Sequence, residues 1–353
     1  MSELAASFRR LIRATGPMPV ARFMGESNAH YYAARDPLGA PKESGGGDFV
    51  TAPEISQMFG EMIGGWCADL WARAGRPDPV LYVELGPGRG TLARDALRVM
   101  RRYGVPAEAH FVEGSPVLAA LQQEALPDAV VHDSLDGVPD HAPVLLVANE
   151  FLDALPVRQL VRTEHGWRER MVGLDTDDTF RFVAGGQPMD DAVPPERRDA
   201  PPGTIIETCP GAAAIMGEVA ARLRGQGGAA LFIDYGHLEP RTGSTLQAVR
   251  AHRSVDALAM PGEADLTAHV DFPALADTAR AAGIEVIHTT TQGAFLERLG
   301  ITARANALAA AVPQRSAEVA ADHRRLCSPE EMGKLFKAMV AVAPGWPEPA
   351  GFV

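Results

Sequence analysis

Three glycines at alternate positions, Gly86, Gly88 and Gly90, follow an apolar run that ends at the acid Glu84. Glycine lets the backbone turn sharply here and lets a ligand lie directly against the chain. Thr91 stands where the dinucleotide fingerprint has its third glycine, and no G-K-[ST] follows as in a phosphate-binding loop. A carboxylate beside the glycines would repel a pyrophosphate. The pattern therefore favours a ligand that carries a positive charge or an amino group.

Two further acids stand at the ends of the next two β-rich segments. Glu113 follows "HFV" and Asp133 follows "VVH", with Ser134 next to it. In dinucleotide folds an acid after the second strand accepts hydrogen bonds from ribose hydroxyls, and ligands bind at the carboxyl ends of the strands. Asp133 would meet an adenine amino group, and Ser134 is a further expected contact. Together with the glycines, these acids predict a site for S-adenosyl-L-methionine rather than for NAD.

Short apolar segments alternate with helical stretches around these motifs. They include "VLYVEL", "EAHFVEG", "AVVHD", "PVLLVANE", "AALFIDYG", "IEVIHTT" and, as a possible last strand, "KAMVAVA". Segments that are apolar throughout are typical of strands buried on both faces of a parallel sheet. The alternation with helices therefore predicts an α/β fold in which helices cover the sheet.

The domain organisation follows from where this alternation starts and where it is interrupted. Residues 1–76 are predicted to form an N-terminal helical region with a glycine-rich lid segment at Ser44–Glu54. Residues 77–353 are predicted to form the α/β domain. Two insertions are expected in it, one that is β-rich at about 151–203 and one that is helical at about 295–337.

The composition excludes several classes of protein. A net charge of −12 over 353 residues argues against nucleic-acid binding, which needs a basic face. No apolar stretch reaches membrane-spanning length, so no membrane insertion is expected. The three cysteines lie far apart and indicate neither a disulfide framework nor a zinc site. The start, "MSELAASFRRLIRATGPMP", is interpreted as an amphipathic helix rather than a targeting peptide.

Longer blocks of the chain resemble the mitochondrial complex I assembly methyltransferases and their bacterial relatives. They are "GGDFVTAPEISQMFGEMIGGW", "VELGPGRGTLARDALR", "NEFLDALPVRQ", "ALFIDYGH", "TLQAVRAHRSVDALAMPGEADLTAHVDF" and "TQGAFLERLGI". The resemblance covers about Gly46 to Lys337. It implies a class I methyltransferase fold, with a seven-stranded, mostly parallel sheet and helices on both faces, and S-adenosyl-L-methionine as cofactor. The cofactor role of the family's glycine motif carries over to Gly86, Gly88 and Gly90.

The same resemblance implies an acceptor, a partner and a location. The family carries out symmetric dimethylation of an arginine on a subunit of respiratory complex I, so the expected partner is a protein that carries this arginine. A bacterial protein of this kind is expected in the cytoplasm and a eukaryotic one in the mitochondrial matrix, although no clear transit peptide is present. The oligomeric state stays open.

Under this resemblance "NEFLDALP" supplies the candidate catalytic residues. Arginine is a poor nucleophile because its guanidinium stays charged, with a pKa above about 12, and its lone pairs are delocalised. A carboxylate can bind this group and draw charge away from the attacking nitrogen. Glu150 is therefore assigned to orient the guanidinium, Asp153 to support it or accept a proton, and Asn149 to the cofactor. In the alternative interpretation Asp153 caps a turn and Glu150 faces solvent.

Other acids and hydroxyls are expected near the acceptor. Thr51, Glu54 and Gln57 follow the glycine-rich segment and are predicted to face the cleft as part of a lid. In the alternative, Thr51 caps a helix that has a proline in its first turn. Asp234, at the end of the strand in "IDYGH", is also predicted to bind the substrate, whereas His237 is interpreted as structural.

"PGEADLTAHVDF" contains several side chains of the types that bind metals. They are Glu263, Asp265, His269 and Asp271, and their spacing matches no known metal site. They are assigned to structure or acceptor binding, and no metal is expected.

Three other functions stay open at this stage. The same fold could methylate a small molecule, or the chain could be a non-catalytic assembly factor that retains the cofactor site. A dinucleotide-dependent oxidoreductase is the third alternative, and the glycine spacing weakens it. The fold alone does not choose among them, because function depends on the site.

Overall fold

The computed structural model describes residues 2–34 and 50–352. Within these residues the α-helices are α1 Glu3–Thr15, α2 Val20–Ala34, α3 Ala52–Ile55, α4 Gln57–Arg73, α5 Thr91–Arg102, α6 Pro116–Ala125, α7 Pro210–Gln226, α8 Phe272–Ala281, α9 Gln292–Arg298, α10 Ile301–Ala311, α11 Ser316–Cys327 and α12 Met332–Leu335. The strands are β1 Met18–Pro19, β2 Val80–Leu85, β3 Ala107–Val112, β4 Val130–His132, β5 Val144–Asn149, β6 Arg158–Thr163, β7 Gly166–Leu174, β8 Phe180–Pro188, β9 Ile205–Thr208, β10 Gly228–His237, β11 Gln247–Arg250, β12 Arg253–Val255, β13 Asp265–Thr267, β14 Val270–Asp271, β15 Val286–Thr291 and β16 Phe336–Val342.

These elements form two compact units, each made of several stretches of the chain. The sheet unit comprises the described residues of 50–152, 214–238 and 270–353. The insertion unit comprises the described residues of 1–49, together with 153–213 and 239–269. These boundaries differ from the sequence-based division at residue 76. The stretch 239–269 also belongs to the insertion unit, although no insertion was predicted there from the sequence.

The sheet unit contains one large sheet with the strand order β15-β16-β10-β5-β2-β3-β4, and β14 pairs with β10. Strand β16 runs antiparallel to β10 and β15, and the other neighbours in this order are parallel. The predicted seven-stranded, mostly parallel sheet is confirmed. The chain winds outward from β2 in one direction and from β5 in the other, so a switch point lies between them. The carboxyl ends of strands at such a point are where open α/β sheets bind ligands.

Helix α4 belongs to the sheet unit because it packs closely on α5. A Cβ atom on Gly64 would lie 2.4 Å from the carbonyl oxygen of Ala96, so only glycine allows this approach. The buried carboxylate of Glu61 in α4 accepts hydrogen bonds of 2.6 and 2.9 Å from Arg304 in α10. It also pairs with Arg98 of α5 at 3.2 Å. A buried carboxylate needs such partners, and these ones connect three helices.

The insertion unit has its own core and two small sheets. One sheet has the order β1-β7-β6-β9 with β8 beside β7, and the other has the order β12-β11-β13. Phe8 and Phe23 belong to this core, and Phe180 packs against them, with ring centroids 5.1 to 6.5 Å apart. Asn28 in α2 connects the separate stretches, since its amide donates to the carbonyls of Ala154 and Leu266 at 3.0 and 2.7 Å.

The structure also shows which elements form in the two segments that were expected to be insertions. The β-rich insertion contains β6 to β9, and the segment at 295–337 is helical in α9 to α12. The glycine-rich part of the expected lid, up to Phe49, lies outside the described residues. Among the described helices, none combines the length and apolar character needed to span a bilayer.

Candidate functional site

The turn between β2 and α5 requires glycine at its three glycine positions. Gly86, Gly88 and Gly90 have φ angles of +61°, +55° and +75°, in the left-handed region that other L-residues rarely adopt. The N–H of Gly86 donates to the carbonyl of Val112 in β3 at 2.9 Å, and that of Gly90 donates to Pro87 at 2.8 Å. The turn is therefore fixed at the carboxyl end of β2, and its role as a ligand-binding loop stays a prediction.

The loop that follows β5 packs against this glycine turn. A Cβ atom on Gly86 would lie only 2.7 Å from Cδ2 of Phe151, so a side chain there would displace the aromatic ring. The buried carboxylate of Asp234 holds the same loop, because it accepts the N–H of Leu152 at 3.0 Å and that of Tyr235 at 2.9 Å. Asp234, predicted to bind the substrate, thus positions the backbone after β5.

Glu150 has a constrained position in that loop. Its φ of +51° is unusual for a residue with a side chain, and such strain often marks functional sites. Its N–H donates to the carbonyl of Ile233 at 2.9 Å. Its Oε1 accepts the N–H of Ala52 at 2.9 Å and the Asn149 amide at 3.2 Å. Asn149 is buried, and its Oδ1 has no hydrogen-bond partner within the described chain. The Glu150 carboxylate is therefore held in place, and the next residue, Phe151, contacts the glycine turn.

Glu113 lies next to the glycine turn and is linked to it through Gln122. The Glu113 carboxylate accepts the Ser115 N–H at 2.8 Å and the Gln122 amide at 3.1 Å. The same Gln122 amide donates to the carbonyl of Gly88 at 2.8 Å. Burial raises the pKa of Glu113, and the hydrogen bonds from Ser115 and Gln122 oppose that rise. The acid expected to bind ribose is thus tied to the turn expected to bind the same ligand.

Gln122 is a site residue that the sequence analysis missed. Its side chain is fully buried, and Oε1 has no hydrogen-bond partner within the described chain. Leu118 is also buried and stands four residues earlier, so both face the same side of α6. The sequence does contain one signal that could have identified Gln122, since it is an uncharged polar residue on the same face of α6 as the apolar Leu118.

Glu84 is enclosed at the end of β2. It is 2% exposed, and the hydroxyl of Tyr82 donates to its Oε2 at 2.6 Å. Burial raises the pKa of Glu84 to about 8, although the hydrogen bond from Tyr82 lowers it. A positively charged ligand near this carboxylate would favour its ionised form. That Glu84 binds a cationic or amino-bearing group stays a prediction.

The remaining predicted cofactor residues lie farther along the same edge of the sheet. Asp133 and Ser134 are exposed and follow β4 directly. The Glu113 N–H donates to the carbonyl of His132 at 3.0 Å, which places Asp133 at the strand end beside Glu113. That Asp133 meets an adenine stays a prediction.

Ala52 and Glu54, near the start of the sheet unit, contact two parts of the candidate site. The Ala52 N–H binds Glu150, as described above, and Glu54 accepts a hydrogen bond of 2.5 Å from the hydroxyl of Thr91. Thr51 precedes α3, but its side chain makes no capping hydrogen bond within the described chain. Gln57 is exposed, with its amide 3.4 Å from Glu61. Glu54 therefore lies against the residue that follows the glycine turn.

Asp153 belongs to the insertion unit, whereas Glu150 belongs to the sheet unit. Asp153 is buried, and its carbonyl accepts the N–H of Ala268 at 2.9 Å. Burial raises the pKa of Tyr32, and the charges of Asp265 and Asp153 raise it further. The hydroxyl of Tyr32 donates to Asp265 at 2.8 Å. In this unit Asp153 thus lies near the half-buried Tyr32.

The other acids of "PGEADLTAHVDF" have structural partners. Glu263 pairs with Arg250 at 3.2 Å, and Asp271 caps α8 by accepting the N–H of Ala274 at 3.0 Å. From the sequence, these residues were assigned either to structure or to acceptor binding. The contacts of Glu263 and Asp271 are of the structural kind.

Comparisons with known proteins complete the description of the site. Residues 62–290 match the family described as S-adenosyl-L-methionine-dependent methyltransferases. The mitochondrial protein arginine methyltransferase NDUFAF7 of Danio rerio is 37% identical, over 92% of this chain and 83% of that protein. The Homo sapiens protein of that name is 34% identical, over 92% and 80%. A methyl transferase candidate from Burkholderia thailandensis, solved with bound S-adenosyl-homocysteine, superimposes with a TM-score of 0.83 at 30% identity, over 96% of this chain and 91% of that one.

The contact between the two strand-end loops can be tested with a matched pair of glycine variants. Gly86→Ala and Gly90→Ala introduce the same left-handed strain, but only a Cβ at 86 overlaps the Phe151 ring, since that at 90 meets Leu126 at an ordinary 3.5 Å. We expect Gly86→Ala to lower the thermal unfolding midpoint more than Gly90→Ala does. The difference should shrink in a Phe151→Ala background. Equal midpoints for the two glycine variants would contradict the close approach.

The role of Gln122 is tested by Gln122→Met, which keeps the size of the side chain and removes both of its donated hydrogen bonds. We expect the affinity for S-adenosyl-homocysteine to fall by up to about 30-fold, since the two hydrogen bonds that hold Glu113 and Gly88 contribute on the order of 1 kcal/mol each. Calorimetric titration measures this directly. The control is Gln123→Met, at an exposed neighbouring position of α6. An unchanged affinity in Gln122→Met would show that the link between Glu113 and Gly88 does not organise the site.

The raised pKa of Glu84 predicts how stability depends on pH. Because the folded-state pKa of about 8 exceeds the ordinary value of 4.5, the folded state binds the proton more tightly. The stability that this group contributes is full below about pH 4.5 and is lost as the pH rises through about 8. In the ligand-free protein, Glu84→Gln should therefore gain thermal stability relative to wild type between pH 5 and pH 8. A difference between the two proteins that stays constant over this range would refute the prediction.

Proposed function

The chain belongs to the family of S-adenosyl-L-methionine-dependent methyltransferases, and from this premise we propose that its methyl acceptor is an arginine of a protein. Membership follows from the family match over residues 62–290 and from relatives that are 34 to 37% identical over more than nine-tenths of the chain. Those relatives are named protein arginine methyltransferases. The observation in this chain that carries the proposal is the carboxylate of Glu150, which two hydrogen-bond donors hold on a strained backbone next to Phe151, the residue that contacts the glycine turn.

The sheet unit has residues suited to each part of the cofactor. Gly86, Gly88 and Gly90 let it approach the backbone, and Glu113 can accept hydrogen bonds from ribose hydroxyls. The buried carboxylate of Glu84 suits the ammonium group of the methionine part, because a positive charge relieves the cost of ionising it there. When bound, S-adenosyl-L-methionine supplies a methyl group on a positively charged sulfur.

Glu150 suits the other partner in the reaction. A carboxylate can accept two parallel hydrogen bonds from a guanidinium, which orients it and draws positive charge away from the attacking nitrogen. The N–H of Ala52 and the Asn149 amide fix the position of this carboxylate before the acceptor arrives. Such preorganisation lowers the barrier to an in-line displacement, in which positioning supplies much of the acceleration.

The transfer forms a nitrogen–carbon bond as the carbon–sulfur bond breaks, and one proton must leave the guanidinium. In this proposal the Glu150 carboxylate accepts that proton and passes it to water. From the sequence, Asp153 was expected to support the guanidinium or accept this proton, and that assignment stays a prediction. Its position in the insertion unit beside Tyr32 and Asp265 gives it a structural role there as well.

The finer parts of the proposal rest on the resemblance of the sequence blocks to the complex I assembly methyltransferases. We propose that the product is symmetric dimethylarginine on a subunit of respiratory complex I, and that the modification supports assembly of the complex. Thr51, Glu54 and Gln57, at the start of the sheet unit, would contact the acceptor protein. The protein would act in the bacterial cytoplasm, or in the mitochondrial matrix of a eukaryote.

The acceptor can be identified by labelling. The protein is incubated with radiolabelled S-adenosyl-L-methionine and a lysate of cells that lack it, and the labelled protein is then identified by mass spectrometry. The proposal expects methylarginine in a subunit of complex I. Label that enters only small molecules would indicate a small-molecule methyltransferase, and the absence of any transfer despite cofactor binding would indicate a non-catalytic assembly factor.

The catalytic assignment predicts the behaviour of Glu150→Gln. The amide retains the size and one acceptor oxygen but lacks the charge, so turnover should fall on the order of 10²-fold while cofactor affinity changes little. Single-turnover methyl transfer at saturating cofactor separates these two effects. Glu124→Gln, which removes an exposed carboxylate from α6, is the matched control and should behave as wild type. Wild-type turnover in Glu150→Gln would move the assignment to Asp153 or Asp234.

A further inference from the structure

Three side chains of different chemical types come together in the helical segment that follows β15. They are Glu297 of α9 and His323 and Cys327 of α11, and one donor atom from each lies within 4.8 Å of those of the other two. His323 and Cys327 are four residues apart in one helix and so project from the same face. The sequence shows no sign of a metal site here, because Glu297 is 26 residues from His323 and 30 residues from Cys327 along the chain.

We propose that Glu297, His323 and Cys327 bind a divalent transition-metal ion, with zinc as the best fit. Thiolate, imidazole and carboxylate are the ligand types that zinc uses, whereas magnesium and calcium favour oxygen ligands alone. Zinc bonds of about 2.0–2.3 Å place two tetrahedral ligand atoms roughly 3.3–3.8 Å apart. Donors that already lie within 4.8 Å of one another would need only small side-chain movements. With three protein ligands, a water molecule would complete the coordination.

The backbone around this cluster is already held in place. The buried amide of Gln292, at the start of α9, donates to the carbonyl of Leu326 in α11 at 2.9 Å. A Cβ atom on Gly293 would lie 2.4 Å from the carbonyl oxygen of Cys327, so glycine allows the two helices to meet there. The donors are thus presented by two helices whose separation is fixed, and such preorganisation favours metal binding.

Thr302 supplies an outer contact of the kind that orients metal ligands. Its hydroxyl donates to Oε2 of Glu297 at 2.6 Å and lies 3.0 Å from Nε2 of His323. Nε2 of His323 also lies 2.9 Å from Oε1 of Glu297. A metal ion would replace the contact between histidine and carboxylate, while the hydroxyl could continue to hold the carboxylate.

Cys327 is poorly suited to act as a free nucleophile. Burial and the neighbouring Glu297 raise the pKa of the Cys327 thiol to about 12. Reactive thiols have lowered pKa values instead. The ion would connect α9 to α11 in the sheet unit. This structural role goes beyond methyl transfer.

The test uses the full chain without an affinity tag, freed of metal by a chelator and titrated with zinc against a competing chelator. Cobalt serves as the spectroscopic substitute. We expect one equivalent of metal, visible bands of tetrahedral cobalt and a thiolate-to-cobalt charge-transfer band. Cys327→Ser should abolish the charge-transfer band and lower zinc affinity at least 10-fold, whereas Cys209→Ser, which removes a cysteine of the insertion unit, should change neither. Thr302→Val should lower zinc affinity by about 10- to 100-fold, as loss of an outer partner does elsewhere.

Thermal unfolding of the same proteins gives an independent measurement. Zinc should raise the midpoint of wild type and of Cys209→Ser but not that of Cys327→Ser, because an ion that binds only the folded state stabilises it. A wild-type protein that binds no stoichiometric zinc, or one whose cobalt complex lacks the charge-transfer band, would overturn the proposal. So would a Cys327→Ser variant that retains wild-type affinity.

Discussion

The close approach of Phe151 to Gly86 is the contact on which the site depends. A single added carbon at Gly86 would lie 2.7 Å from the aromatic ring, so the loops after β2 and β5 can meet only if position 86 is glycine. The left-handed φ angles of the glycine turn impose the same requirement on the backbone. Asp234 supports the contact from β10 by accepting the N–H of Leu152. As a result the turn suited to the cofactor and the carboxylate of Glu150 share one edge of the sheet.

The acids at this edge would suit a cationic ligand. Glu84 and Glu113 both have raised pKa values because of burial, so their ionised forms are costly in the ligand-free protein. A sulfonium or ammonium group would offset that cost, whereas a pyrophosphate would add to it. Glu113 differs from Glu84 in that hydrogen bonds from Ser115 and Gln122 already support its charged form. The first carboxylate therefore suits charge recognition, and the second suits hydrogen bonding to hydroxyls.

Local patterns in the sequence predicted the parts of this structure that depend on neighbouring residues. Continuous apolar segments identified the strands of the sheet, and the glycine spacing identified the turn after β2. Contacts between residues far apart in sequence were not predictable in this way, such as the bond between Ala52 and Glu150 or the link through Gln122. The division at residue 76 missed the packing of α4 on α5, which depends on Gly64 and on a buried carboxylate. Likewise, the sequence spacing of Glu150 and Asp153 gave no indication that they belong to different compact units.

The central claim is that Glu150 holds a guanidinium beside the sulfur of the cofactor. An adenosine analogue that carries a guanidine on a short alkyl linker at the sulfur position tests this without knowledge of the acceptor protein. Calorimetry should show that it binds about 10- to 100-fold more tightly than S-adenosyl-homocysteine, as expected for charge-assisted hydrogen bonds of about 1.5–3 kcal/mol, and that Glu150→Gln abolishes this gain. An analogue that binds no more tightly than S-adenosyl-homocysteine, or a gain that persists in Glu150→Gln, would contradict the account.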